Sequence, residues 1–246
     1  ARDGANIVIA AKSGVPKPKL PGTIHTAAAE VEAAGGKALA IQMDVRDEEQ
    51  VAAALAQAAA HFGGIDAVVN NASAIWLAGV EGTPMKRFDL MHQVNTRGTF
   101  LVTQAALPYL KKAANPHVLM LAPPPSVKPK WFARHTAYTI AKMGMSLCVL
   151  GMAEEFKPLG IAVNALWPRT VIATAAIAMI DGVKAENCRK PAIVADAAHA
   201  ILTRASGDYS GHFAIDDEVL AEAGITDLDP YAVAPGQPLL PDLFLD

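Results

Sequence analysis

Short apolar runs alternate with longer amphipathic segments along most of this chain of 246 residues, and this alternation limits the folds it can adopt. Several of the apolar runs are aliphatic and almost unbroken, which is typical of strands buried on both faces of a sheet. Strands that alternate with helices form parallel sheets through right-handed crossovers. The pattern therefore predicts an α/β protein, a doubly wound parallel sheet covered by helices on both sides.

The pattern also predicts where the elements lie. The expected strands are Ile7–Ala11, Ala38–Met43, Ala67–Asn70, His117–Leu121, Ile161–Leu166 and His212–Ile215. The expected helices are Thr23–Ala34, Glu48–Phe62, Pro84–Lys112, Tyr138–Phe156 and Ala192–Thr203. Two proline-rich segments, 15–22 and 227–246, interrupt the alternation because proline removes a backbone donor and breaks helices. We expect the second of them to be an irregular tail that packs over the surface.

The composition excludes several classes of protein. The net charge is −3 and no block of like charges occurs, so the chain is predicted to bind neither nucleic acid nor a membrane through a basic patch. The apolar runs are shorter than the ~20 residues of a membrane span. Cys148 and Cys188 are too few for a disulfide framework, and no histidine or cysteine cluster has metal-ligand spacing. A reducing compartment fits best: the cytoplasm, or the peroxisome or mitochondrion in a eukaryote.

Polar residues follow the predicted strands, at the sheet edge where parallel α/β proteins bind ligands. Lys12, with Ser13 beside it, suits the 2′-phosphate of a dinucleotide, but is equally well explained as a solvated loop lysine. Asp44 is a possible acceptor for an adenine amino group, or simply an acid near a helix start. Asn71 and Ala72 would let a ligand approach the backbone closely, although an asparagine-rich turn is the alternative.

Two features inside helices also admit two interpretations. Asn95 and Gly98 lie together in the long predicted helix Pro84–Lys112, where glycine costs about 1 kcal/mol relative to alanine. A kink near a binding site and close packing against Gly98 explain the pair equally well. Tyr138 and Lys142 are four residues apart and therefore share a helix face. A neighbouring ammonium would lower the pKa of the phenol and make it a proton donor, but the spacing alone favours a structural pair.

The order and separation of these residues together resemble the short-chain dehydrogenase/reductase family. The residues that carry the resemblance are Asp44-Val45, Asn70-Asn71-Ala72, Asn95, Tyr138-x-x-x-Lys142 and Pro168. Longer stretches are similar to the hydroxysteroid dehydrogenase-like protein 2 subfamily, namely NASAIWL, NTRGTF, WFARHTAYTIAKMGMS, VLGMAEEF and AVNALWP. The resemblance covers nearly the whole chain, and it implies a Rossmann-type fold with a single NAD(P)-binding reductase domain over residues 1–246.

The resemblance implies a role for each matched residue. Tyr138 becomes the general acid–base residue, Lys142 lowers its pKa and binds the nicotinamide ribose, and Asn95 holds a water of the proton relay. The implied cofactor contacts are Lys12, Ser13, Asp44, Val45, Asn71, Ala72, Tyr138, Lys142, Pro168 and Thr170. Lys12 and Ser13 stand where NADP-preferring members keep a cation and a hydroxyl, so NADP(H) is expected rather than NAD(H).

The substrate and assembly follow from the same resemblance. A small or lipophilic carbonyl compound or secondary alcohol is the expected substrate, and the apolar segment 171–180 is either a lid over it or simply a helix. Relatives associate through the helices that match 84–112 and 138–156, so a homodimer or homotetramer is expected.

Two departures from the family pattern bear on activity. The given sequence begins after the family's glycine-rich TGxxxGxG loop, and we interpret it as lacking the first strand, that loop and most of the first helix. The family serine is replaced, because the matching positions are Ala122 and Pro123. Ser126 is the nearest hydroxyl, and the hypothesis that it substitutes would be contradicted by a Ser126→Ala variant with unchanged turnover. A catalytically weak or inactive nucleotide-binding homologue is therefore the alternative function.

Overall fold

Parallel strands and intervening helices make up the computed structural model, which describes residues 1–16, 22–175, 177, 180 and 182–245. The strands are β1 (Asn6–Ala11), β2 (Lys37–Gln42), β3 (Ala67–Asn70), β4 (His117–Met120), β5 (Ala162–Trp167) and β6 (Phe213–Ile215). The α-helices are α1 (Ile24–Ala33), α2 (Glu48–Phe62), α3 (Met85–Met91), α4 (Gly98–Leu110), α5 (Thr136–Phe156), α6 (Ala192–Leu202) and α7 (Asp216–Glu222). Each predicted strand and helix is present within two residues of its expected ends, except that the long helix 84–112 is divided and α7 was not predicted.

All strand pairs are parallel, which confirms the predicted α/β class. β1 pairs with β2, while β3, β4, β5 and β6 form a second ladder in that order. The sheet is thus in two parts, because β1 and β3 share no ladder within the described residues. Every residue of β4 and β5 is buried, whereas Val69 at the outer edge of the ladder, in β3, is 47% exposed.

Helices cover both faces of the four-stranded ladder, as successive residues of β4 show. Val118 and Met120 belong to an apolar cluster with residues of α4 and α5. Leu119 lies between them in sequence but joins the cluster formed by α6 and α7. Because side chains alternate across a strand, this division places two helices on each side of the sheet. β1 and β2 share a further core with α2, centred on Val51.

After the loop that follows β3, residues Met85–Leu110 form one continuous helical stretch whose middle changes from α-helical to π-helical winding. Residues His92–Arg97, between α3 and α4, form a π-helical turn that contains Asn95. A Cβ atom placed on Gly98 would lie 2.9 Å from Cγ2 of Val45, so this position admits only glycine without a shift of the neighbour. Both interpretations of the Asn95–Gly98 pair therefore apply: the helix is distorted and its glycine permits close packing.

Helix α5 is the central helix of the fold. The stretch Thr136–Leu159 is long and apolar enough to cross a membrane by composition, which the apolar runs alone did not predict. In the fold, 61% of an 18-residue apolar window within this stretch is buried, chiefly against β4, β5 and α4. Its apolar character is accounted for by this packing inside the domain.

We expected the proline-rich tail to pack irregularly over the surface, but part of it pairs with the chain and part of it is buried. Prolines remove their own donors, but the residues between them still pair with the chain. Thr170 forms an antiparallel bridge with Pro241, and Arg189 forms one with Ala232. The last described residues then turn inward, where Phe244 is only 4% exposed. Of the other proline-rich segment, residues 17–21 lie outside the described residues.

Candidate active site

Tyr138 and Lys142 lie one turn apart in the first half of α5, and both side chains are buried, with 5% and 4% of their surface exposed. The Lys142 ammonium donates to the carbonyl oxygen of Leu121 at 2.8 Å, directly after β4. One turn further on, Ser146 donates to the carbonyl oxygen of Pro123 at 2.7 Å. These bonds hold α5 against the end of β4, so the Tyr–Lys pair faces the carboxyl edge of the sheet.

The position matched to the family serine lies between those two carbonyl groups. Ala122 is fully buried there, next to the residue that receives the Lys142 bond, and it has no hydroxyl. The hydroxyl of Ser126 accepts a hydrogen bond from the backbone N–H of Lys128 at 3.3 Å, a local turn. No hydrogen bond connects Ser126 with Tyr138 among the residues that the structure describes. Ser126 as a replacement donor stays a hypothesis.

The electrostatics of the pair differ from the expected lowering of the tyrosine pKa by Lys142. Burial raises the pKa of Tyr138, and the carboxylate of Asp242 raises it further. Burial lowers the pKa of Lys142 to about 8, while Asp242 partly opposes that change. The pKa of Asp242 is in turn raised to about 6, mainly by burial, with Lys142 acting against the rise. The third titratable group of the site, Asp242, comes from the C-terminal tail and was not anticipated.

Asn95 is fully buried and holds the loop that follows β3. Its side-chain oxygen accepts from the backbone N–H of Ala74 at 2.7 Å, and its amide donates to the Ala74 carbonyl at 3.0 Å. Both the oxygen and the nitrogen of the amide are therefore bonded to this loop, which begins with Asn71 and Ala72. The structure gives Asn95 a positioning role, and the water contact implied by the family stays a prediction.

The residues that the resemblance assigned to the adenosine half of a cofactor follow β1 and β2. Lys12 and Ser13 follow β1, and the side chain of Lys12 is exposed and close enough to lower the pKa of Asp44 slightly. The main effect on Asp44 comes from Arg46, whose guanidinium bonds both carboxylate oxygens and lowers the pKa to about 2. Arg46 was missed by the sequence reading. Val45 is partly buried and packs against Gly98.

The candidate cofactor contacts that follow β3 and β5 differ in exposure. Asn71 and Ala72 after β3 are open to solvent, whereas Pro168 and Thr170 after β5 are buried. The Thr170 hydroxyl has no hydrogen-bond partner among the described residues. Arg169 bonds Asp217 at 2.5 Å and also Glu218, and so ties this loop to the start of α7.

These observations test whether the residues fit a nicotinamide cofactor. The buried hydroxyl of Thr170 has no hydrogen-bond partner among the described residues, and it lies at the same sheet edge as Tyr138. The exposed backbone at Asn71 and the cation of Lys12 lie at the same edge. Because unused buried polar groups call for a partner, the arrangement fits the nicotinamide half and the adenosine end of such a cofactor.

Aromatic side chains surround Tyr138, and most of them were not assigned to the site from sequence. Phe244 lies 6.2 Å from the Tyr138 ring, and His135 lies 6.3 Å from it in an edge-on arrangement. Trp131 and Trp167 pack in the same cluster. Trp131 therefore belongs to the same apolar cluster as Tyr138. Phe244 is distant along the chain, and no sequence signal linked it to Tyr138.

An open surface depression of about 480 Å³ lies away from this pair. Its lining residues are Arg46, Lys86, Arg87, Asp89, Leu90 and Gln93. Arg46 is already paired with Asp44, and Arg87 stacks over Trp76 at 4.6 Å. The chemistry of the chain is thus concentrated at the strand ends rather than in this depression.

Known proteins similar to this chain are short-chain dehydrogenases, in agreement with the parallel α/β fold and the Tyr138–Lys142 pair. Residues 1–181 match the family model described as short chain dehydrogenase. The chain is 59% identical over 247 aligned residues to hydroxysteroid dehydrogenase-like protein 2 from Xenopus laevis, and it spans 59% of that relative's length.

Solved structures extend the agreement to the fold. One from Xanthomonas campestris is 65% identical with a TM-score of 0.97, and the match covers 100% of this chain and 90% of that one. A short chain dehydrogenase from Mycobacterium thermoresistibile is 50% identical with a TM-score of 0.93, over 100% of this chain and 88% of that one. The family match and the buried Tyr138–Lys142 pair lead to one conclusion: this chain belongs to the short-chain dehydrogenase family.

Proposed function

We propose that the protein is an NADP-dependent oxidoreductase that interconverts a carbonyl group and a secondary alcohol on a small or lipophilic substrate. The observation that carries the proposal is the placement of Tyr138 and Lys142 at the carboxyl edge of the sheet, held there by the bond from Lys142 to the Leu121 carbonyl. Polar residues also follow four other strands at the same edge, namely Lys12 after β1, Asp44 after β2, Asn71 after β3 and Thr170 after β5. Bound nicotinamide would supply or accept the hydride.

The protein's own residues manage the proton. The Tyr138 hydroxyl forms no hydrogen bond with another described residue, so it is available to a substrate oxygen. In reduction it donates its proton to the oxygen of the nascent alkoxide, and in oxidation it removes the alcohol proton. We expect the positive charge of Lys142, one helical turn from Tyr138, to stabilise the phenolate that forms during turnover.

The preference for NADP rests on the charge at the end of β1. Lys12 is exposed and no acidic residue follows β1, where an acid would bind the ribose 2′-hydroxyl of NAD. Asp44 is the nearest acid, and Arg46 neutralises it. A 2′-phosphate would therefore meet net positive charge at this end of the site.

The test is NADPH oxidation by the purified protein against a panel of aldehydes and ketones, with Tyr138→Phe as the control variant. Turnover that depends on Tyr138 supports the proposal. Binding of NADPH without turnover would favour the alternative, an inactive nucleotide-binding homologue. The fully buried Ala122, in the place of the family serine, is the observation on which that alternative rests.

The pH dependence of turnover provides a separate prediction. The pKa of Lys142 is about 8, so the charged form is depleted as the pH rises above that value, and the reduction rate should fall. Asp242 raises the pKa of Lys142, so Asp242→Asn should move this alkaline limb to lower pH. The measurement is kcat/KM for reduction as a function of pH; a limb that stays in place or moves upward contradicts the assigned coupling.

We also propose a homo-oligomer built on α4 and α5. Large apolar side chains on these two helices are exposed, with Phe100 at 50%, Leu147 at 61% and Leu150 at 48%. Surface helices with such residues usually bury them against a partner. Analytical ultracentrifugation that finds only monomers would contradict the proposal.

A further inference from the structure

The end of the C-terminal tail, residues 238–245, is fastened to the loop that follows β5; we call this segment the strap. Leu240 accepts from the Val171 N–H at 2.9 Å and donates to the Asn187 carbonyl at 2.8 Å. Asp242 donates to the Arg169 carbonyl at 3.0 Å. The indole N–H of Trp167 donates to the Leu243 carbonyl at 2.8 Å. The strap is thus held by bonds at successive points and is a built part of the domain.

The strap delivers Phe244 into the centre of the aromatic cluster around Tyr138. Its ring centroid lies 5.7 Å from that of Trp167, 5.9 Å from Trp131, 6.2 Å from Tyr138 and 6.3 Å from His135. These separations are those of favourable aromatic pairs. Phe244 therefore fills the apolar space that adjoins the ring of Tyr138.

The backbone of Phe244 is unusual as well. Its φ angle is +75°, and it is the one non-glycine residue with positive φ among the described part of the chain. A bulky residue adopts this conformation only where the surrounding contacts offset the strain. Such strain concentrates at functional sites, and here it directs a phenyl ring at the proposed proton donor.

We propose that Phe244 is a specificity-determining residue, which sets the size of the apolar group that can accompany a carbonyl to the Tyr138 hydroxyl. This inference rests on the proposed function and deepens it. A substrate oxygen must reach Tyr138, and the apolar body attached to it must share the cluster with Phe244. The space beside the phenyl ring should therefore accept compact ketones and exclude bulky ones.

The test compares a polycyclic ketone with a short aliphatic ketone. Phe244→Ala should raise the ratio of kcat/KM for the polycyclic ketone to that for the short one by about tenfold or more, the range expected when a hydrophobic pocket changes size. Phe244→Trp should lower the ratio. Leu240→Ala is the matched control, since Leu240 is on the same strap but 38% exposed and outside the aromatic cluster. A ratio that Phe244→Ala leaves within twofold, or that Leu240→Ala changes equally, overturns the inference.

A binding measurement separates this inference from the proposed reaction. Trp131 and Trp167 flank Phe244, so their fluorescence reports a ligand in the cluster. In a Tyr138→Phe background with NADP present, Phe244→Ala should tighten binding of the polycyclic ketone about tenfold. Unchanged or weaker binding, or none, refutes the role of Phe244 whatever the turnover. If Phe244→Ala tightens binding of the polycyclic ketone but the unmodified protein shows no turnover, the proposed reaction is refuted and the role of Phe244 is retained. If Phe244→Ala unfolds, Phe244→Leu carries the same comparison with a smaller expected increase.

Discussion

Replacing Tyr138 by phenylalanine should lower kcat for carbonyl reduction by roughly 10²–10⁴-fold, the contribution typical of a positioned acid–base group. The substitution removes only the hydroxyl. The ring would keep its contacts with Phe244 and with the rest of the apolar cluster, so thermal stability and nucleotide affinity should change little. Steady-state kinetics of NADPH oxidation, together with nucleotide titration, measure both effects.

Tyr109→Phe provides the control for that experiment. Tyr109 lies on α4, is partly exposed and is absent from the aromatic cluster, so its hydroxyl should be dispensable. If Tyr138→Phe retained full turnover, another group would have to supply the proton, and the assignment of Tyr138 would be wrong.

Replacing Lys142 by methionine should lower kcat/KM by about 10²-fold or more, and nucleotide affinity by about tenfold, because one charged donor is lost from both functions. The methionine side chain is apolar and of similar length, so it suits a position that is only 4% exposed. The Leu121 carbonyl would lose its 2.8 Å bond from Lys142, so a modest loss of thermal stability is also expected.

Lys157→Met is the corresponding control, since Lys157 is exposed directly after the end of α5. Equal losses in both variants would show that the effect of Lys142→Met is not specific to the site. Unchanged turnover in Lys142→Met would remove Lys142 from the catalytic pair.

The parts of the site that follow from local pattern and topology could be predicted from sequence. Tyr138 and Lys142 share a face because helices repeat every 3.6 residues, and the helix was recognisable from its apolar length. The strand ends that carry Lys12, Asp44 and Asn71 meet at one edge because parallel strands end on the same side of a sheet. The structure confirms that fold, and these residues lie where it requires.

The parts that depend on long-range packing could not be predicted. Nothing in the proline-rich tail indicates that Phe244 reaches Tyr138, since the contact joins residues more than a hundred positions apart and follows no periodicity. Asp242 was missed for the same reason, although it changes the charge balance at Lys142. Asn95 in the π-helical turn makes two bonds to the backbone of Ala74, which lies 21 residues earlier. Nothing in the local pattern predicts these bonds, and only the neighbouring glycine indicated a distorted helix.

The central claim is that Tyr138 and Lys142 serve a hydride transfer between bound nicotinamide and a carbonyl carbon. The most direct measurement uses NADPH that carries deuterium in the transferable position at C4 of the nicotinamide, with analysis of the product alcohol by mass spectrometry. We expect one deuterium on the carbinol carbon with the unmodified protein, and product formation reduced in proportion to kcat with Tyr138→Phe. Alcohol without deuterium at that carbon, or no alcohol from any carbonyl compound to which the protein binds, would contradict the account.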